Sequence, residues 1–160
     1  MKKGVYRMQE SEKLFEDLEF ISKRFPFLFS RGFGSKDLDR GDDGVPYLCP
    51  FETQEGWNRL IYDTCEQIRE VLIKQGLLYQ YNIGQIKTKY GELRIYGYFD
   101  LDVNSDDIGH EIYDVIDAAT AKSKTICEFC GRPGVCNNHK GLVATMCPEC
   151  VENLEEITGR

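Results

Sequence analysis

Apolar residues recur at helical spacing over residues 9–24, where Leu14, Phe15, Leu18 and Ile21 share one face and Phe25 extends it. Glu10, Glu12, Lys13, Glu16, Asp17 and Glu19 fill most of the opposite side, with Ser11 as a candidate N-cap. Pro26 ends the segment, because a proline disfavours helical backbone in the residue before it. A second helical pattern covers 53–75 through Trp57, Leu60, Ile61, Thr64, Ile68, Val71 and Leu72. Thr53 stands at its start, and Gly76 stands where a left-handed cap belongs. Over 77–99 the period changes to two. Ile86, Thr88 and Tyr90 alternate with Lys87 and Lys89, and Leu93, Ile95, Gly97 and Phe99 alternate with Arg94, Tyr96 and Tyr98. Tyr90-Gly91-Glu92 joins the two runs as a hairpin, and residues 77–81 suggest a third strand. A third helix starts at Ser105, buries Ile108, Ile112, Val115, Ile116 and Ala119, and closes at Lys122 and Lys124.

Residues 26–54 show neither period. Glycines and prolines punctuate them, yet Phe27, Phe29, Phe33, Tyr47 and Phe51 recur, so a long loop anchored by rings is expected. Asp37, Asp39, Asp42 and Asp43 do not make a calcium loop. Counted from Asp37, the sixth residue is Asp42 rather than glycine and the twelfth is Leu48 rather than glutamate, so turn chemistry explains them. The fold class expected is α+β: helices packed on a small antiparallel sheet, followed by a C-terminal zinc ribbon. Residues 1–125 form the α+β domain and 126–160 the ribbon segment.

The ribbon rests on spacing. Cys127 and Cys130 are separated by two residues, as are Cys147 and Cys150, with 16 residues between the pairs. Two residues between ligands let one tight turn aim both sulfurs at one ion, and two such turns complete a tetrahedron. Gly131 offers permissive backbone after the first pair, and Pro148 stiffens the second. Cys136 and His139 also have ligand spacing, so a swap into the site or a second ion stays open. Four thiolates leave no place for water, which makes the expected Zn2+ structural rather than hydrolytic. Leu154 and Ile157 suggest a short closing helix.

Composition narrows the function classes. Twenty basic and 27 acidic residues give a formal charge of -7, which does not suit a general duplex-DNA coat. Within 126–160 there are three basic and five acidic residues, so the ribbon alone is no nucleic-acid binder. Seven cysteines, an odd total, and no secretory pattern at the start point to a reducing cytoplasm, with Cys49 and Cys65 as small buried hydrophobes. No apolar run approaches the roughly 20 residues that cross a bilayer. The position four residues after His110 is Asp114, so His110-Glu111 lacks the two-histidine face of a zinc protease. Neither a phosphate-cradling loop nor a nucleophile elbow is present.

Three stretches resemble a family of small, uncharacterised bacteriophage and prophage proteins: Gly56-Trp57-Asn58-Arg59-Leu60-Ile61, the hairpin segment running from Gln85 through Tyr90-Gly91-Glu92 to Tyr96, and the knuckle Cys127-Glu128-Phe129-Cys130-Gly131-Arg132-Pro133-Gly134. The resemblance spans roughly residues 50–150. It implies a phage origin and a zinc-ribbon end, and it carries no activity. The function expected is non-enzymatic binding of a macromolecular partner, a host or phage protein, with inhibition of a host or defence protein as one form. The alternative is a nucleic-acid accessory role. The candidate surface for either is the hairpin face bearing Lys87, Lys89, Arg94, Tyr96 and Tyr98, which combines cations with rings at strand spacing.

Overall fold

The computed structural model describes residues 13–32, 34–100 and 103–159. In chain order these form α1 (Leu18–Arg24), β1 (Phe51–Glu52), α2 (Asn58–Lys74), β2 (Tyr81–Lys89), β3 (Glu92–Phe99), α3 (Asp106–Ser123), β4 (Val135–His139), β5 (Leu142–Met146), α4 (Pro148–Glu152) and α5 (Leu154–Thr158). The architecture is α+β, as the patterning predicts.

The helix expected over 9–24 is interrupted: Lys13 is helical, and α1 opens only at Leu18. Residues 14–16 form a turn, and the Asp17 carboxylate accepts the Phe20 amide at 3.1 Å, capping a helix that opens at Leu18. A short acidic side chain satisfies an orphan N–H there and breaks the helical run ahead of it. The proposed Ser11 cap lies outside the described residues. After α1, Pro26–Leu28 make a 3-10 turn.

The 26–54 segment is more organised than a loop pinned by rings. Isolated bridges pair Phe29 with Leu48, Arg31 with Leu38 and Arg40 with Pro46, folding the strap back on itself. Phe27 and Phe29 are buried, and Phe51 meets Phe15 edge-on at 4.8 Å. The Tyr47 ring is exposed rather than buried in the core, while Phe33 lies outside the described residues. The stronger anchor is Arg31, whose guanidinium donates to the carbonyls of Pro26, Ser35, Tyr79 and Tyr81. Its five fixed donors tie the strap to the start of β2. Asp43 does serve a turn, accepting the Val45 amide at 3.0 Å, whereas Asp39 ties the strap to itself by accepting the Ser30 hydroxyl at 2.7 Å.

Helix α2 is the central beam. Ile61, Cys65, Ile68 and Leu72 are buried along one stripe, with Trp57 fully buried at its start. Each fully buried branched side chain of this kind contributes about 1.5–3 kcal/mol. Thr53 does not cap it, since a 3-10 turn, Glu55–Trp57, leads into the helix instead. At its far end Gly76 has φ 66, and the Gly76 and Leu77 amides bond the Ile73 and Leu72 carbonyls. That pair of bonds is a Schellman end, and it turns the chain toward β2.

The main sheet has the order β1-β2-β3. Strands β2 and β3 are antiparallel, with Lys89 opposite Glu92 across Tyr90-Gly91. Both turn residues have positive φ, 52 and 79, as a type I′ hairpin requires. The third strand is not at 77–81, where the Schellman end is followed by a turn. It is β1, which comes out of the strap and pairs in parallel with β2. Helix α3 packs on α2 and on β3. Ser105 holds its N-cap position without a side-chain bond. Ile112 and Ala119 are buried, while Ile108, Val115 and Ile116 pack against the core in part. Among the described residues, no helix is long and apolar enough to cross a membrane.

Candidate metal centre

The C-terminal segment is a small hairpin, β4 and β5, followed by two short helices. Lys140 and Gly141 turn it, again both at positive φ. The first cysteine pair lies on the knuckle before β4. There the Gly131 amide bonds the Cys127 carbonyl at 2.9 Å, and the Cys127 amide bonds the Arg132 carbonyl at 2.7 Å. Gly131 has φ 77, so this closure needs a residue without a Cβ. The second pair opens α4. Cys147 is its N-cap, Pro148 is in its first turn, and the Cys150 amide points at the Cys147 sulfur at 3.4 Å.

These two turns face each other. The ligand atoms of Cys127, Cys130, Cys147 and Cys150 all lie within 4.8 Å of one another, and all four residues are buried. The Cys130 and Cys147 sulfurs are 3.5 Å apart. Four sulfurs about 2.3 Å from one ion sit roughly 3.8 Å from each other, so the cluster has the size of a tetrahedral thiolate cage. These four cysteines could hold a metal ion.

The thiols respond to burial and to each other. Desolvation raises Cys130 to about 11, against a hydrogen bond from the Arg132 amide, and raises Cys150 further. Burial opposes the Cys147 thiolate too, but hydrogen bonds from the Cys150 amide and the neighbouring thiols outweigh it and lower that group. Arg132 stands beside Cys130 and pairs with Glu149, bringing a cation to the edge of the cluster. Cys136 and His139 are not in the group. Three apart on β4, they point to opposite faces. The Cys136 sulfur lies 3.7 Å from the Tyr90 carbonyl oxygen.

The cage is seated on the α+β body by contacts that sequence reading did not foresee. Glu128, inside the first knuckle, is buried. Its backbone carbonyl accepts the Gly56 amide at 2.7 Å, and its carboxylate accepts the Gln54 amide and the Thr88 hydroxyl, each at 3.3 Å. Burial raises the Glu128 carboxyl, and those two donors offset part of the rise. The Trp57 indole N–H donates to the Ile126 carbonyl at 2.9 Å. The Thr145 hydroxyl donates to the Gly91 carbonyl at 2.8 Å. A Cβ on Gly56 would stand 2.3 Å from the Cys127 carbonyl oxygen, and one on Gly91 would stand 2.7 Å from the Cys136 sulfur. Residues of the 56–61, 85–96 and 127–134 stretches therefore meet at one interface. The signal for it was two glycines placed where a backbone must pass closely. The acidic Glu128 gave none, because it reads as a solvated residue.

The other candidate surface is a single face, as the alternation predicts. Lys87 and Arg94 lie opposite each other, next to the Lys89–Glu92 pair, while Tyr96 and Tyr98 are 47% and 53% exposed. Acidic residues intrude on it. Glu52 of β1 lies beside Lys87 in register, and Glu92 pairs with Arg94 at 3.1 Å. Cys65 is buried and its thiol is raised by desolvation; Cys49 is raised for the same reason and by the Glu52 charge. Both are packing residues, and His110 and Glu111 are exposed on α3. Compared with protein-family models, curated proteins and solved structures, the chain matches none of them.

Proposed function

We propose that the metal is zinc and structural, and that the chain is a non-enzymatic protein that binds a protein partner through the outward face of β2 and β3. Four buried cysteines close the cage on all sides, so an ion held there has no open position for substrate or water. The observation that carries the binding role is the outward face itself. It presents Tyr96 and Tyr98 to solvent, and aromatic rings of this kind are enriched at interface centres. Each cation on it has an acidic neighbour, which favours a protein partner over a nucleic acid. The resemblance to small phage proteins supports a bacterial cytoplasm as the setting and a host or defence protein as the target.

Affinity capture from a bacterial lysate tests this, with wild type beside a Tyr96→Ala/Tyr98→Ala variant of unchanged metal content. A partner retained by wild type and lost by the variant supports the reading. Tight, salt-sensitive binding of single-stranded DNA that disappears on Lys87→Glu/Arg94→Glu favours the nucleic-acid role instead.

A further inference from the structure

Arg132 and Glu149 belong to different cysteine knuckles and meet between them. Arg132 follows Cys130 by two positions, and Glu149 stands between Cys147 and Cys150. Their side chains form an ion pair, in which Arg132 Nη1 donates to Glu149 Oε2. The first knuckle fixes the Arg132 backbone twice. Its carbonyl accepts the Cys127 amide at 2.7 Å, and its amide donates to the Cys130 sulfur. The side chain therefore starts beside Cys130, and its guanidinium lies within reach of that sulfur. One donor of the fork is left over: Arg132 Nε is buried and has no hydrogen-bond partner. A buried N–H without an acceptor is costly to keep, so its retention points to an acceptor that appears in another state of the site.

Loading supplies that acceptor. A thiol sulfur accepts weakly, whereas hydrogen bonds to an ionised acceptor are the strong ones. Four thiolates around a divalent ion also bring a formal charge of two negatives into a buried cluster, on a chain whose net charge is already -7. Of the three basic residues in 126–160, Lys140 turns the opposite end of the β4–β5 hairpin and Arg160 lies outside the described residues. Arg132 is this segment's cation at the cluster.

We infer that Arg132 is a positioning residue of the metal site, held by Glu149 so that its guanidinium lends a hydrogen bond and a positive charge to the Cys130 thiolate. Arginine has no lone pair to offer an ion, so it acts through the sulfur alone. Groups that hydrogen-bond a ligand tune its metal affinity. Glu149 does not cancel the effect. Its side chain is 35% exposed and screened by water, whereas Nε is buried. The inference rests on the metal reading and adds one residue to it.

The test uses the full chain loaded with cobalt, whose thiolate charge-transfer band reports on the sulfurs, with a chromophoric chelator in competition to read affinity. Arg132→Met should bind cobalt about 10–100-fold more weakly, as loss of a ligand's partner commonly does. At saturating cobalt its band should move to lower energy, because a sulfur without its donor gives up an electron more readily. Arg132→Lys should recover the tie to Glu149 and part of the affinity. Its band should stay displaced, because an ammonium lacks the planar fork that serves carboxylate and sulfur at once. Amide protection of β4 and β5 at saturating metal shows that each variant folds, and an Arg132→Met chain that fails to fold leaves the decision to Arg132→Lys. Three results overturn the inference. Folded Arg132→Met binds cobalt within about twofold of wild type. The band keeps its wild-type energy in the loaded variants whatever their affinity, which would make the ion pair a strut between the knuckles and nothing more. Both of these leave the metal reading intact. Wild type that takes up no cobalt removes the metal reading as well.

Discussion

Two backbones meet at Gly56 more closely than a side chain allows. A Cβ there would press on the Cys127 and Glu128 carbonyls at 2.3–2.4 Å, and both belong to the first cysteine knuckle. Gly56→Ala should cost about 1–3 kcal/mol, the usual penalty for overpacking, read as a lower urea midpoint at unchanged slope. Gly109 is the contrasting case. It lies inside α3, and a Cβ there would meet nothing within 4 Å. Gly109→Ala should stabilise by about 0.5–1 kcal/mol in the same experiment, because alanine loses less backbone entropy on entering a helix. Cysteine environments make a further residue-level prediction. Burial holds the Cys65 thiol well above its ordinary value, so Cys65 should be the last thiol to react with a disulfide reagent and should react only on unfolding.

Among elements, the metal segment and the start of α2 form one unit. The Gly56 amide and the Trp57 indole both donate across the junction, and Trp57 is the chain's single tryptophan. Chelation should therefore do two things together. Amide protection should vanish from β4 and β5, and tryptophan emission should move to the red as the indole loses its place. Emission that stays fixed while the ribbon melts would separate the two elements. Acid should act in the same direction. Bound thiolates must stay deprotonated, and burial raises the metal-free Cys130 thiol to about 11. Metal affinity should then fall as pH falls, with protons released on binding. Much of this element plan could be read in the sequence. Helix α2, the β2–β3 hairpin, α3 and the cysteine spacing are local signals of period or distance, and local signals survive in a string of letters. What could not be read depends on distant partners. Strand β1 is two residues long and exists only because Ile86 and Lys87 lie beside it. Arg31 looks like a surface cation until four carbonyls converge on it. Glu128 looks solvated until Gln54 and Thr88 close over it.

For the whole molecule, one hydrophobic core serves the body and a second, smaller cluster surrounds the cysteines. The smaller one contains Ala144, Met146 and Leu154 beside the four sulfurs, with Phe129, Leu142 and Val151 partly buried against them, which is still a small core for a segment of this length. A segment so lightly built needs a staple, and a bound ion contributes what its own packing does not. The outward face of β2 and β3, proposed above as the partner surface, lies on the body rather than on the ribbon. On the proposed reading the metal shapes the molecule without taking part in chemistry. Elemental analysis of the reduced, folded protein, purified without added metal, tests this most directly. About one zinc per chain, lost in the Cys127→Ser/Cys147→Ser variant, is the predicted result. Folded protein with four reduced cysteines and no bound metal would contradict it.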